Sequence, residues 1–454
     1  MKTKQPVEKN KQYDVSIEDL TYQGLGVAKI ENFPIFITNT LPGEKAKIVV
    51  TKVQKTYAFG RVLEVLQSSP DRVDGLGKEY TQTGIAPLQY LRYDAQLLFK
   101  QHQIENLLKK SHLNIHVDNT IGMDEPYGYR NKAQIPVRTV AEQLETGFFK
   151  RNSHDLVPIE DFRIQDTVID DVIVKVRDIL RANQVVPYEE VNHQGIIRNV
   201  MVRRGRKSGE IMVVLITNKE QFPNSDQVFN EIAAINNVVS VYQNINNRVT
   251  NVMMGDKNIL KSGSPVIHDQ LLGINFIISP SSFYQVNPVQ TEKLYQLAID
   301  KAGLTGNETV LDLYCGIGTI SLAMAKHAKR VMGVEVVPEA IHDAKMNAQS
   351  NGIDNVEFVI NKAEDQMKLW AENEIKTDLV VVDPPRKGLA GSVIESIGEL
   401  QPKKVVYVSC NPATLVRDIG LFEEQGYEVD GSIIPVDQFP QTPHVESVTV
   451  LSLK

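Results

Sequence analysis

Cysteine is nearly absent: Cys315 and Cys410 are the only two in 454 residues. That excludes a disulfide framework and a cysteine-rich zinc or iron–sulfur centre. Long apolar runs are also missing. None reaches the roughly 18 residues of a membrane-spanning helix. The opening MKTKQPVEKNKQ is basic but has no apolar stretch behind it, so it does not read as a secretory leader. A reducing cytoplasm is the location these absences imply. An overall basic surplus is lacking as well, since the net charge is −7. By the simplest test that argues against nucleic acid. The average hides a gradient, however: +3 over residues 1–65, −1 over 66–280 and −9 over 281–454. Local patches decide phosphate contacts, so an RNA partner stays open.

What is present is ordinary globular composition, 42% hydrophobic and 23% charged. At about 100–200 residues per domain, the length predicts two to four domains. Residues 1–66 read as closely spaced short strands with Gly and Pro between them, a small β-barrel of the OB type. Lys45, Lys47, Lys52, Lys55 and Arg61 either line an RNA-binding face or guard strand edges. Residues 67–280 are mixed α+β. The stretch 91–112 has helical periodicity. Residues 196–217 read as a hairpin with Arg203, Arg204, Arg206 and Lys207 near its tip, either a phosphate contact or a solvated loop. From 281 to 454, helices alternate with buried β-branched runs. That pattern means an α/β, mostly parallel, doubly wound sheet with its ligands at the C-terminal strand ends.

The unusual residues lie at those ends. The first strand runs into Asp312-Leu313-Tyr314-Cys315-Gly316-Ile317-Gly318, a turn that lets backbone approach a ligand. Glu335 ends the next strand, placed to accept both hydroxyls of a ribose. A dinucleotide fingerprint would want glycine where Ser321 stands, so S-adenosyl-L-methionine fits better than a pyrophosphate. Asp383-Pro384-Pro385-Arg386 ends the fourth strand. Arg386 stands where amine methyltransferases carry an aromatic, which argues against an exocyclic amine. Cys410, after Val408-Ser409, is a nucleophile at the cleft or a small buried filler. Cys315 reads as packing. In the C-terminal motif 437–446, Glu446 is a candidate general base and His444 a structural histidine. Phe283 and Gln285, in Ser282–Asn287, suit base stacking and edge recognition, although core packing explains aromatics too.

A thiol, a carboxylate and a methyl donor together suggest methylation at pyrimidine C5. A thiolate adding at C6 makes C5 nucleophilic, and a base later removes its proton. A base within folded RNA must be flipped out to be reached.

At this point the motifs SFYQVN, LDLYCGIGT, DPPRKG, VSCNP and FPQTPHVE, in this order, resemble those of the RNA uracil-C5 methyltransferases over essentially the whole chain. The resemblance implies a Rossmann-like catalytic domain over 281–454, with Cys410 as nucleophile and Glu446 as base. It gives Gln285, Tyr314, Gly316, Gly318, Glu335 and Asp383 to the cofactor, S-adenosyl-L-methionine. Asp383, Gln285 and Phe283 also meet the uracil. The barrel resembles a TRAM domain, which favours 23S rRNA over tRNA and one or two flipped-out uridines as targets. The 93–112 helix is expected to pack on the catalytic domain. Many rRNA members hold an iron–sulfur cluster, but Thr83, Ala86 and Phe162 stand where cysteines would be. No cluster is therefore expected, with apolar packing in its place, as in members from Gram-positive organisms. Alternatives are a tRNA uridine, a cytosine C5 target, or a non-catalytic RNA-binding factor.

Overall fold

The computed structural model describes residues 5–454. Near the N-terminus, Gln12–Ser16, Asp19–Leu20, Gly26–Ile30, Phe33–Thr38, Lys45–Val53 and Ala58–Gln67 form one six-stranded sheet. Alternation sets its two sides. Val15, Ala28, Ile35, Ile37, Ala46, Ile48, Val50 and Ala58 point inward and make the core. Phe36, Tyr57 and Phe59 take the outward positions and pack on one another, with ring centroids 5.5–6.0 Å apart. Lys45, Lys52, Lys55 and Arg61 are exposed on that outer surface. An ion pair between Arg72 and the buried Glu44 ties the barrel to the following segment.

The central region is a seven-stranded sheet, in order 156–158, 143–149, 132–140, 197–204, 211–217, 238–245 and 257–263. Helices Thr167–Ala182 and Ser225–Ala233 cover one face. The other face, with Met201, Met212, Val214, Ile216 and Tyr242, joins the core of the catalytic unit. Burial on both faces explains why Ile211–Thr217 is apolar throughout rather than alternating. Of the three positions that the resemblance sets against cluster cysteines, Phe162 belongs to this packing. Ala86 and Phe162 are wholly buried, and Phe148 meets Phe162 edge to face at 4.9 Å. Thr83 turns its hydroxyl back to the Glu79 carbonyl.

The reading of the hairpin tip needs correction. Strands Ile197–Arg204 and Ile211–Thr217 do pair, but Arg203 is 1% exposed and lies inside the ladder. Its guanidinium donates to the Ser279 and Ser282 carbonyls at 3.0 and 2.8 Å. Arg204 is paired with Asp166. Of the four cations, Arg206 and Lys207 alone are exposed.

The C-terminal sheet runs 356–360, 330–335, 309–313, 379–382, 404–409, 446–453, 432–436, with His116–Val117 at its far edge. The first five strands are parallel, and Glu446–Leu453 is antiparallel to its neighbour Lys404–Ser409. Helix Tyr93–Lys110 packs here through Ile104 and Leu108. A buried ion pair joins Lys100 of that helix to Asp437. Tyr93 also donates to Asp437, and Lys100 to the Phe439 carbonyl. This fastens the 437–445 loop, which leads into the strand carrying Glu446. Among the described residues no helix is long and apolar enough to cross a membrane.

Candidate active site

Three adjacent strands bring the reactive groups together by register alone. The Lys404–Ser409 strand pairs Ser409 with Ser447. One step further along this antiparallel ladder sets Cys410 against Glu446. On the other side Leu379–Val382 pairs Val382 with Tyr407, so Asp383 emerges at the same sheet edge. A thiol and two carboxylates thus share one end of three strands.

Their electrostatics are mutually unfavourable. Burial pushes the Cys410 thiol up to about 12, and Glu446 and Asp383 push it the same way, with Arg386 opposing. Glu446 is raised to about 8, first by burial and then by Asp383. Asp383 is raised to about 7 by burial, with a hydrogen bond from Tyr295 working against the rise. The Tyr295 hydroxyl donates to Asp383 Oδ2 at 3.4 Å and takes a bond from Gln285 Nε2 at 3.2 Å. Without a neutralising charge the thiol stays protonated and quiescent.

The remaining predicted residues line the same edge next door. Tyr314, at φ 70°, and Gly316, at φ 55°, turn the chain sharply after Thr309–Leu313. A Cβ at Gly316 would meet nothing within 4 Å, whereas one at Gly318 would press on Phe358 at 3.0 Å. Gly316 therefore leaves an open cradle, and Gly318 serves close packing. Glu335 Oε1 accepts from the Val336 and Val337 amides at 2.7 and 3.0 Å, which fixes its carboxylate at the strand end. Asp312 is wholly buried and raised to about 7, chiefly by desolvation. Its Oδ2 accepts from Ser321, while Oδ1 has no partner. An open glycine turn, a pinned strand-end carboxylate and an orphaned acid fit a ribose-bearing, positively charged ligand. S-adenosyl-L-methionine is such a ligand.

Phe283 projects from its loop, 70% exposed. Cys315 is buried on the cofactor turn. His444 is exposed at the surface, with its pKa lowered mainly by desolvation. Sequence reading missed Tyr295, which links Gln285 to Asp383, and Asn411, whose side chain donates to the Arg386 carbonyl at 2.8 Å. Asn411 also caps the helix that follows Cys410. The SxN-Pro pattern before a helix was the available signal for that cap.

Comparison with known proteins bears on this site. The family described as tRNA (Uracil-5-)-methyltransferase matches residues 92–454, and the TRAM domain matches 6–63. An uncharacterized RNA methyltransferase of Lactiplantibacillus plantarum is 58% identical over 453 residues, covering 99% of each chain. Another, of Enterococcus faecalis, is 52% identical over 98% of each. The crystal structure of Pyrococcus abyssi tRNA (uracil-54, C5)-methyltransferase with S-adenosyl-L-homocysteine superposes with TM-score 0.78 and 27% identity. It covers 97% of this chain and 100% of its own.

Proposed function

This chain belongs to the RNA uracil-5-methyltransferase family, and from that premise we propose that it uses S-adenosyl-L-methionine to methylate uridine C5 in 23S rRNA through a covalent Cys410 adduct. The observation that carries the proposal is the register placing Cys410, Glu446 and Asp383 at one strand end. The cofactor supplies an electrophilic methyl group on a positively charged sulfur. Asp383, poised near neutrality, takes the thiol proton. The Cys410 thiolate then adds to uracil C6, and the C5–C6 π electrons move toward O4, which makes C5 nucleophilic. Once C5 carries the methyl group, Glu446 in its ionised form removes the C5 proton. The C6–S bond breaks, the double bond re-forms, and the thiolate is released. Gln285 and Asp383 hold the uracil edge, and Phe283 stacks on the extruded base or on the bases it leaves. Tyr314, Gly316, Gly318 and Glu335 hold the cofactor. The reaction belongs in the cytoplasm.

The barrel does not decide between RNAs. The Pyrococcus tRNA enzyme spans 97% of this chain, so a barrel-bearing chain is compatible with tRNA. That observation supports tRNA uridine as the second reading. Support for 23S rRNA is the resemblance to members whose cluster positions are filled, as Ala86 and Phe162 are here by side-chain packing. The test offers labelled S-adenosylmethionine with unmodified 23S rRNA and tRNA separately, and identifies product nucleosides by mass. Cys410-dependent 5-methyluridine in 23S rRNA is expected. Label confined to tRNA would move the enzyme to the second reading.

A further inference from the structure

Arg130, Lys132 and Arg203 meet where the central sheet faces the Ser282–Asn287 segment. Lys132 pairs with Arg203 and Gln134 with Met201, so these side chains share the face turned toward the catalytic unit. Arg130 precedes Lys132 by two residues and extends the same edge through its bridge to Gln165. Arg203 is occupied by the Ser279 and Ser282 carbonyls. Among the described residues, neither Arg130 nor Lys132 has a carboxylate partner. The charges acting on Lys132 are those of Arg203 and Arg130, which join desolvation in lowering its pKa to about 7.

Asn131, between these two cations, is laced to the Ser282–Asn287 segment. Its amide donates to the Val286 carbonyl at 2.9 Å and its side chain to the Gln285 carbonyl at 3.1 Å. Arg130 and Lys132 are thus the chain neighbours of a residue bonded to the Gln285 carbonyl, and Gln285 reaches Asp383 through Tyr295. Exposed Phe283 is two residues away. Like charges gathered in a partly dehydrated place raise one another's energy, and an arriving anion relieves them. The aromatic and amide beside them suit a nucleobase, so the fitting anion is one attached to a base.

We propose that Arg130 and Lys132 form a phosphate site that grips the RNA backbone next to the target uridine. This rests on the uridine-C5 reading above. Phosphate contacts position and base contacts specify, so the site sets the register in which the uridine enters between Phe283 and Gln285.

The experiment uses full-length protein and fluorescein-labelled, unmodified transcripts of 23S rRNA fragments and of tRNA. Anisotropy gives Kd across a range of salt. Lys132→Met and Arg130→Met are each expected to weaken binding about tenfold and to reduce the slope of log Kd against log salt by about 0.7–0.9. Lys132→Arg keeps the charge and should stay within about twofold of wild type. S-adenosyl-L-homocysteine affinity should be unchanged in all three, and Lys132→Met should melt no lower than wild type. Both Met variants matching wild type in Kd and slope would overturn the site. Weaker binding with an unchanged slope would also overturn it, because that is a packing effect. The expected slopes without any uridine methylation would keep the phosphate site and sink the reaction. Wild-type protein binding neither RNA would sink both.

Discussion

The Ser282–Asn287 segment has two differently charged sides. On the catalytic side Asp312 and Asp383 are pushed up to about 7 and Glu446 to about 8. On the central-sheet side Lys132 is pushed down to about 7. Both shifts move toward neutrality, and both have burial as their first cause. At Lys100 and Asp437, by contrast, a buried cation meets a buried acid. Here acids crowd acids, with exposed Arg386 acting against them, and cations crowd cations. On the phosphate proposal above, the missing counter-charges arrive with ligands: a cationic methyl donor on one side and a phosphate on the other.

Removing the group that the acidic side restrains should have the largest effect. Cys410→Ala should bring methyl transfer below detection while RNA affinity is retained, read by label transfer and anisotropy in parallel. Methylation surviving in this variant would remove the nucleophile assignment. Next, Glu446→Gln should slow release from the adduct by about 10²–10⁴-fold. A protein–RNA band should then accumulate on a denaturing gel, and no such band at any time point would count against the roles of both residues. The paired case gives the control. Lys100→Met leaves buried Asp437 with no cation, only the Tyr93 hydroxyl, and should cost about 3–5 kcal/mol in urea unfolding. Lys100→Met with Asp437→Leu should recover most of that loss, unless the pair matters for more than its own charge balance.

The smallest effect is a pH dependence. Glu446 binds its proton more tightly folded than unfolded, since its pKa rises from about 4.3 in an unfolded chain to about 8. Its stabilising contribution is full below the unfolded value and is lost as pH climbs through about 8. Wild type should therefore lose stability relative to Glu446→Gln between about pH 4 and 8, with little further change above that. Parallel urea midpoints for the two proteins over that range would mean that Glu446 does not carry the shift.

Much of the catalytic sheet was legible because its strands are local runs, each followed by a helix. Pattern alone placed Asp383, Cys410 and Glu335 at strand ends. The closeness of Cys410 and Glu446 was not legible from pattern, because it depends on a register between distant strands. His116–Val117 escaped notice because two residues carry no periodicity. Ser432–Val436 was also missed; Pro435 interrupts its donors and breaks the signal. Arg203 misled for a related reason. A cation at the end of an apolar strand reads as a loop tip, and its carbonyl partners lie 76 and 79 residues on.

The pairing of His116–Val117 with Ser432–Val436 has a consequence for synthesis. Helix Tyr93–Lys110 leaves the ribosome long before the sheet it covers, and its apolar side must wait through the whole central region for a partner. The strand bearing Glu446 comes last and enters between two others, with Lys404–Ser409 on one side and Ser432–Val436 on the other. A prematurely terminated chain thus has Cys410 but neither Glu446 nor a completed sheet. Its early helix stays uncovered, an exposed apolar surface of the kind that makes incomplete chains prone to aggregate.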